Sequence, residues 1–242
     1  MSWTELRHLV LVAGHAIPYR FDRLDSDDGW FLKHFQGGEG PYYLEHVRAG
    51  VAEAAADPGA LLVFSGGQSD PQAGPRSEAQ GYWQIADTFG WYGRPEVAAR
   101  ATTEEFSLDS FLNLLYGLCR FREATGHYPD QVVVVGWAFK AARFEFHRST
   151  LRYPAARYRY NGANDPLRLE EARCFEALRL DDYRRDPFGT SPELAGKRGS
   201  RNPFRRRHGY DASCLEIAGL LAHRGPEPYP GALPWLYDGE RS

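Results

Sequence analysis

Lys140, Arg143 and His147 stand at i, i+3 and i+7 directly behind the apolar run QVVVVGW at 131–137, so a helix opened there carries all three on one side. The two cations would hold an anion, and the imidazole would move a proton near neutral pH. The bland reading is a solvated pair on a surface helix, where such residues mostly sit. Against it stands repetition, since three other apolar runs end in a similar polar group. Gly14 and His15 follow HLVLVA at 8–13. Ser65, Gly66, Gly67 and Gln68 follow ALLVF at 60–64, with Arg76 and Glu78 a few residues on. Glycines in such a turn let backbone amides approach a ligand, and Arg76 adds charge. Behind VAARAT at 97–102, Glu105, Asp109 and Asn113 repeat at i, i+4 and i+8, a polar stripe on a helix expected to open near Thr103 and run to about Glu123. Its carboxylates suit general acid–base work, a divalent metal or the anchoring of a facing cation; equally, they could serve only as partners of the helix dipole.

A sheet is needed to bring these groups together. Short, continuous apolar runs at 8–13, 60–64 and 131–135 read as strands buried on both faces, as in a parallel sheet covered by helices. Helices are expected at 41–57 and 78–89, the second capped by Ser77, and a short strand at 97–102. RYRYN at 157–161 alternates like an edge strand. The pattern predicts an α/β fold, a Rossmann-like open, mostly parallel sheet of about five strands flanked by helices. Such sheets bind ligands beyond the carboxyl ends of their strands, where each polar group falls. Residues 1–165 are expected to form this core and 166–242 a helical and irregular elaboration packed on it within one compact domain. In the elaboration a helix is expected at 167–180, a basic stretch ending KRGSRNPFRRR at 181–207 and a last helix at 213–223. Pro18 to Gly40 reads as an irregular loop or lid whose Asp22, Asp25, Asp27 and Asp28 lack the order of a calcium-binding hand loop.

The net charge of -3 on 242 residues argues against non-specific binding to nucleic acid or to membrane surfaces. No run is long enough for a transmembrane helix, and the amino terminus reaches charged residues and a strand too soon for a signal peptide, so the chain is read as cytoplasmic. Three widely spaced cysteines, Cys119, Cys174 and Cys214, form no disulfide framework and no zinc-ligand pair. The basic stretch has no interleaved aromatics or recognised binding fold, and is read as facing solvent or a substrate phosphate.

Taken in order, AGHA at 13–16, SGGQ at 65–68, SEAQ at 77–80, TEEFSLDSFLNL at 103–114 and VVGWAFKAARFEFH at 134–147 resemble the domain of unknown function 218 family, the YdcF/SanA/ElyC group (DUF218). RFREATGHYP at 120–129 and KR…RNPF at 197–204 are similar to its fungal and actinobacterial branch. The likeness spans nearly the whole chain and implies a Rossmann-like fold. It places the family's SGG turn on Ser65, Gly66 and Gly67, and the glutamate that follows on Glu78. Its Glu…Ser…Asn helix start falls on Glu105, Ser107 or Ser110, and Asn113, and its arginine on Arg143. Lys140 stands near the place of a family histidine. Bacterial members are linked to envelope biogenesis, and one is described as binding S-adenosylmethionine.

Together these readings predict an enzyme acting on an anionic, phosphorylated or nucleoside-like small molecule, by phosphoryl transfer or hydrolysis. His15, Glu105, Asp109, Lys140 and His147 are its expected catalytic groups. Gly14, Ser65, Gly66, Gly67, Gln68, Arg76, Glu78, Asn113, Lys140 and Arg143 are its expected ligand contacts. S-adenosylmethionine or a divalent metal is the cofactor class these readings admit. The alternative is a module that binds S-adenosylmethionine or a nucleotide without chemistry, or, further off, a methyltransferase.

Overall fold

A computed structural model describes residues 2–236. Its strands are β1 (His8–Ala13), β2 (Ile17–Pro18), β3 (Trp30–Phe31), β4 (Ala60–Ser65), β5 (Ala101–Glu104), β6 (Gln131–Trp137) and β7 (Tyr158–Asn164). The five longer strands form one sheet in the order β5-β4-β1-β6-β7, every pair parallel, and β2 with β3 makes a small antiparallel ribbon. The chain runs outward from β1 to β5, then returns to lay β6 on the other side of β1. This is the Rossmann-like open sheet expected, and its topological switch point lies between β1 and β6.

The continuous apolar runs have two covers to fill because successive side chains point to opposite faces. Val10, Val12, Leu62, Phe64 and Val135 join Val47 and Val51 of α1 (Gly40–Ala56) and Tyr82 and Ile85 of α2 (Glu78–Thr88). Leu9, Leu11, Leu61, Val63 and Val134 join Phe111, Leu115 and Leu118 of α3 (Ser110–Thr125) and Phe144 of α4 (Ala141–Thr150). The chain beyond adds α5 (Leu169–Arg185), α6 (Pro192–Ser200), α7 (Tyr210–Ser213) and α8 (Ala218–Ala222). Tyr183, Leu194, Tyr210, Ile217 and Trp235 from this portion are buried in the same cluster as α3. No helix among the described residues is long and apolar enough to cross a membrane.

Three expected elements are corrected. The strand expected at 97–102 begins at Ala101, because Pro95–Arg100 is a 3-10 turn whose Arg100 turns inward. The Arg100 guanidinium donates to the carbonyls of Ala54 (2.5 Å), Asp57 (3.0 Å) and Ala60 (2.8 Å), closing the end of α1. The helix expected near Thr103 begins only at Ser110, capped by Asp109, whose Oδ1 accepts from the Leu112 amide at 2.9 Å. Thr103 and Glu104 are still paired in the sheet, so no helix carries Glu105 and the i, i+4, i+8 stripe does not form. The last helix expected at 213–223 is broken into α7, a 3-10 turn at Leu215–Ile217 and α8.

Candidate functional site

At the carboxyl rim of the sheet the backbone continues the ladder past the strands. Gly14 donates to Ser65 O (2.7 Å), Gly66 to Glu104 O (3.0 Å) and Gly67 to Ser107 O (2.8 Å). The first amides of α2, on Glu78 and Ala79, donate to the carbonyls of Gly67 and Gly66, both at 3.1 Å. The Gly66 and Gly67 amides, expected to hold an anion, are therefore occupied within the protein. Ser65 is occupied too: its hydroxyl donates to Glu104 Oε2 at 2.7 Å and accepts from Asn113 Nδ2 at 2.9 Å. Glu104 Oε1 accepts from the Phe106 amide (2.7 Å) and the Tyr210 hydroxyl (3.2 Å). Burial raises the Glu104 carboxyl, against the pull of the Ser65 and Phe106 hydrogen bonds. Ser65, Gly66, Gly67 and Asn113 thus form a clasp that ties β4, β5, α3 and α7 together. The buried acid of this segment is Glu104, not the expected Glu105. Its signal was strand parity: a strand prolonged by two residues sends Glu104 inward in register with Ser65.

The centre of the rim is Glu78. At Gly14 and Gly66 an added Cβ would stand 2.8 Å and 2.6 Å from Glu78 Cβ, so the two glycines make the seat for this side chain. Glu78 Oε1 accepts from the Ser69 hydroxyl. Burial raises the Glu78 carboxyl; Ser69, Lys33, Arg201 and Lys140 pull it the other way. Lys140, half-buried at the end of β6, has its ammonium lowered to about 7, by burial first and by Arg143 next. Burial, then Arg201, also lowers Lys33. Lys33 reaches the rim because Gln36 stitches the 18–40 loop to β1: Gln36 Oε1 accepts from the Lys33 amide (2.9 Å) and Gln36 Nε2 donates to His15 O (2.9 Å).

His15 donates from Nδ1 to Ala13 O at 2.8 Å, which leaves Nε2 as a bare acceptor, buried and without a partner. Burial, then Lys140, holds this imidazole well below its ordinary pKa, so it is neutral. His46, its ring 5.2 Å from that of His15, donates from Nε2 to Asn164 Oδ1 at 2.8 Å. Asn164 is oriented by its own Nδ2 donating to Tyr42 O at 3.0 Å. Burial lowers His46 to about 3.

The other expected residues lie elsewhere or are engaged. Arg143 is buried in a bidentate pair with Glu176 of α5, at 2.9 and 2.8 Å. His147 is fully buried, bonded to Ser110 at 2.8 Å and walled by Tyr183, so it is not at the rim. Asp109 is ion-paired to Arg198 of α6 at 2.6 Å; burial would raise its carboxyl, but Arg198 holds it below the usual range. Glu105 accepts from Thr103 at 2.9 Å and faces Arg206 at 3.6 Å. Gln68 closes its loop on Pro75 O at 2.8 Å, and Arg76 is exposed over the Phe31 ring. No group of three or more His, Cys, Asp or Glu among the described residues is placed to hold a metal ion.

Of the expected set, Gly14, His15, Glu78 and Lys140 meet at the rim. Lys33 and Arg201 join them unforeseen. Arg201 lay within the basic string that ends in RNPF; Lys33, in an irregular loop, had no signal in sequence.

No family model matches the chain. An uncharacterized protein of Saccharomyces cerevisiae, YOR238W, is 27% identical over 261 aligned residues, which cover 84% of this chain and 86% of that protein. No solved structure matches.

Proposed function

We propose that the chain is an enzyme that transfers protons on an anionic small molecule bound beyond the carboxyl ends of β1, β4 and β6. The observation that carries this reading is the placing of Glu78, seated against Gly14, with Lys140 and His15 at one rim of the sheet, where burial moves the carboxyl up and the ammonium down to about 7. A lysine replaces a histidine in proton chemistry only when its pKa is brought down in this way. Glu78, as carboxylate, is the general base for a hydroxyl or a water. Lys140, as ammonium, supplies the proton or the positive charge to the departing oxygen. Neutral His15 backs Lys140 from within the fold and adds no charge to the rim. Lys33 and Arg201 hold the anion. This division of roles suits phosphoryl transfer or hydrolysis, in which the attacking oxygen loses a proton while charge grows on the leaving oxygen.

The ordered strand-end motifs support kinship with the DUF218 group, and three free cysteines support a cytoplasmic enzyme. Turnover of a panel of phosphate esters and nucleotides, followed across neutral pH, tests the reading. kcat/KM is expected to be bell-shaped with its alkaline limb at about 7, where Lys140 loses its proton. Wild-type turnover in Glu78→Gln would overturn it.

A second reading, a module that binds S-adenosylmethionine or a nucleotide without chemistry, draws on the aromatic wall of Tyr42, Trp137 and Phe139 beside Lys140. It predicts ligand-induced stabilisation that survives Glu78→Gln and no turnover of any compound. A methyltransferase stands further off, because Ser65 ends the strand where an acidic residue would hold that cofactor's ribose.

A further inference from the structure

Next to the strand-end centre, α5 and α6 close a cavity of about 40 Å³ against the starts of α3 and α4. Arg143, Arg179, Lys197, Arg198 and Arg201 line it, with Asp109 as the acidic residue of the wall. Some of this charge is matched: Arg143 pairs with Glu176, Arg179 and Lys197 with Asp182, and Arg198 with Asp109. Arg201 has no carboxylate within ion-pair distance among the described residues, and its guanidinium donates to Leu108 O at 3.0 Å.

Arg198 is fixed in the wall by its own partners. Its Nε bonds Asp109 at 2.6 Å and its Nη1 bonds Gly189 O at 2.8 Å, while its Nη2 is buried with no acceptor. The turn beside it is built to admit this group. Asp186 accepts from the amides of Thr190 (3.0 Å) and Ser191 (2.8 Å), folding the chain back before α6. Gly189, at φ +65°, has no Cβ, and one placed there would collide with Nη2. Four arginines and a lysine thus face a cavity with one carboxylate among them, and tetrahedral oxyanions accept from the fork of an arginine. One water needs about 10–15 Å³ of such space, so the cavity takes a single phosphoryl group and excludes a nucleobase.

We propose that this cavity seats a phosphoryl group of the substrate, held by Arg179, Arg198 and Arg201 of its wall. The inference rests on the strand-end centre being a reaction site. Two residues join the places: Arg143 acts on His15 and Lys140, and Arg201 on Lys33, Glu78 and Lys140. The substrate class is therefore a phosphorylated small molecule whose anchoring phosphate lies apart from the oxygen that reacts.

The test is calorimetric binding of inorganic phosphate at constant ionic strength to the wild type, Arg198→Gln, Arg179→Gln and Lys140→Met. Arg179→Gln leaves Asp109 paired and guards against a folding defect in Arg198→Gln. Phosphate affinity is expected to fall at least about tenfold in both arginine variants, the loss that one charge-assisted hydrogen bond represents, and to persist in Lys140→Met. Affinity lost in Lys140→Met but kept in the arginine variants would overturn the cavity site and leave the strand-end reading standing. A wild type that does not bind phosphate would overturn it as well, and the pH profile of turnover then judges the strand-end centre separately.

Discussion

Glu104 and Glu78 are acids at the same rim of one sheet, and burial raises both, yet their surroundings differ in kind. Glu104 accepts from Ser65, Phe106 and Tyr210, and Ser65 is bonded in turn by Asn113. Glu78 has one donor, Ser69, and shares its space with Lys33, Lys140 and Arg201, none of which has a carboxylate within ion-pair distance among the described residues. The contrast teaches that burial alone does not mark a working site. What sets the proposed reaction site apart is unfinished hydrogen bonding, because a fold that can satisfy a buried group ordinarily does so.

The widest separation between the two is expected in activity. Glu78→Gln and Lys140→Met should each lower kcat/KM by about 10²–10⁴-fold once a substrate is in hand, while Glu104→Gln leaves it near wild type. Equal losses for all three would erase the distinction. Stability should then divide them the other way. Glu104→Ala strands the Ser65 and Tyr210 hydroxyls and the Phe106 amide, and should cost on the order of 3 kcal/mol in denaturant unfolding. Asp109→Ala removes a cap worth about 1 kcal/mol and leaves the largely buried Arg198 unpaired, so a loss at least as large is expected in the same assay.

The finest test is the pH dependence of stability. Glu78 binds its proton more tightly folded than unfolded, so stability falls as pH rises from the ordinary glutamate range through the raised value. Glu78→Gln should remove that fall and melt higher than wild type near neutral pH. Lys140 has the opposite sign: it releases its proton at about 7 when folded but at about 10.5 when unfolded. Stability should therefore rise with pH across that window, and Lys140→Met should flatten the rise. Identical melting profiles for both variants and the wild type would place these groups in water, not in a buried crevice.

Sequence alone determined the frame. Continuous runs such as HLVLVA and QVVVVGW specify strands covered on both faces, Ser77 caps α2 as its type suggests, and a strand's end is a fixed address for whatever follows it. That is why Gly14, His15, Glu78 and Lys140 could be placed together from their positions in the chain. Tertiary structure alone decided which polar groups were already taken. Ser65 meets Glu104 39 residues away and Tyr210 reaches Glu104 across 106, while Arg143 is claimed by Glu176 of α5. Lys33 and Arg201 come to the rim from a loop and a basic segment whose own spacing carries no period. Periodicity records which way a side chain faces within its own element; whether it finds a partner there depends on segments distant in the chain, and only their packing reveals it.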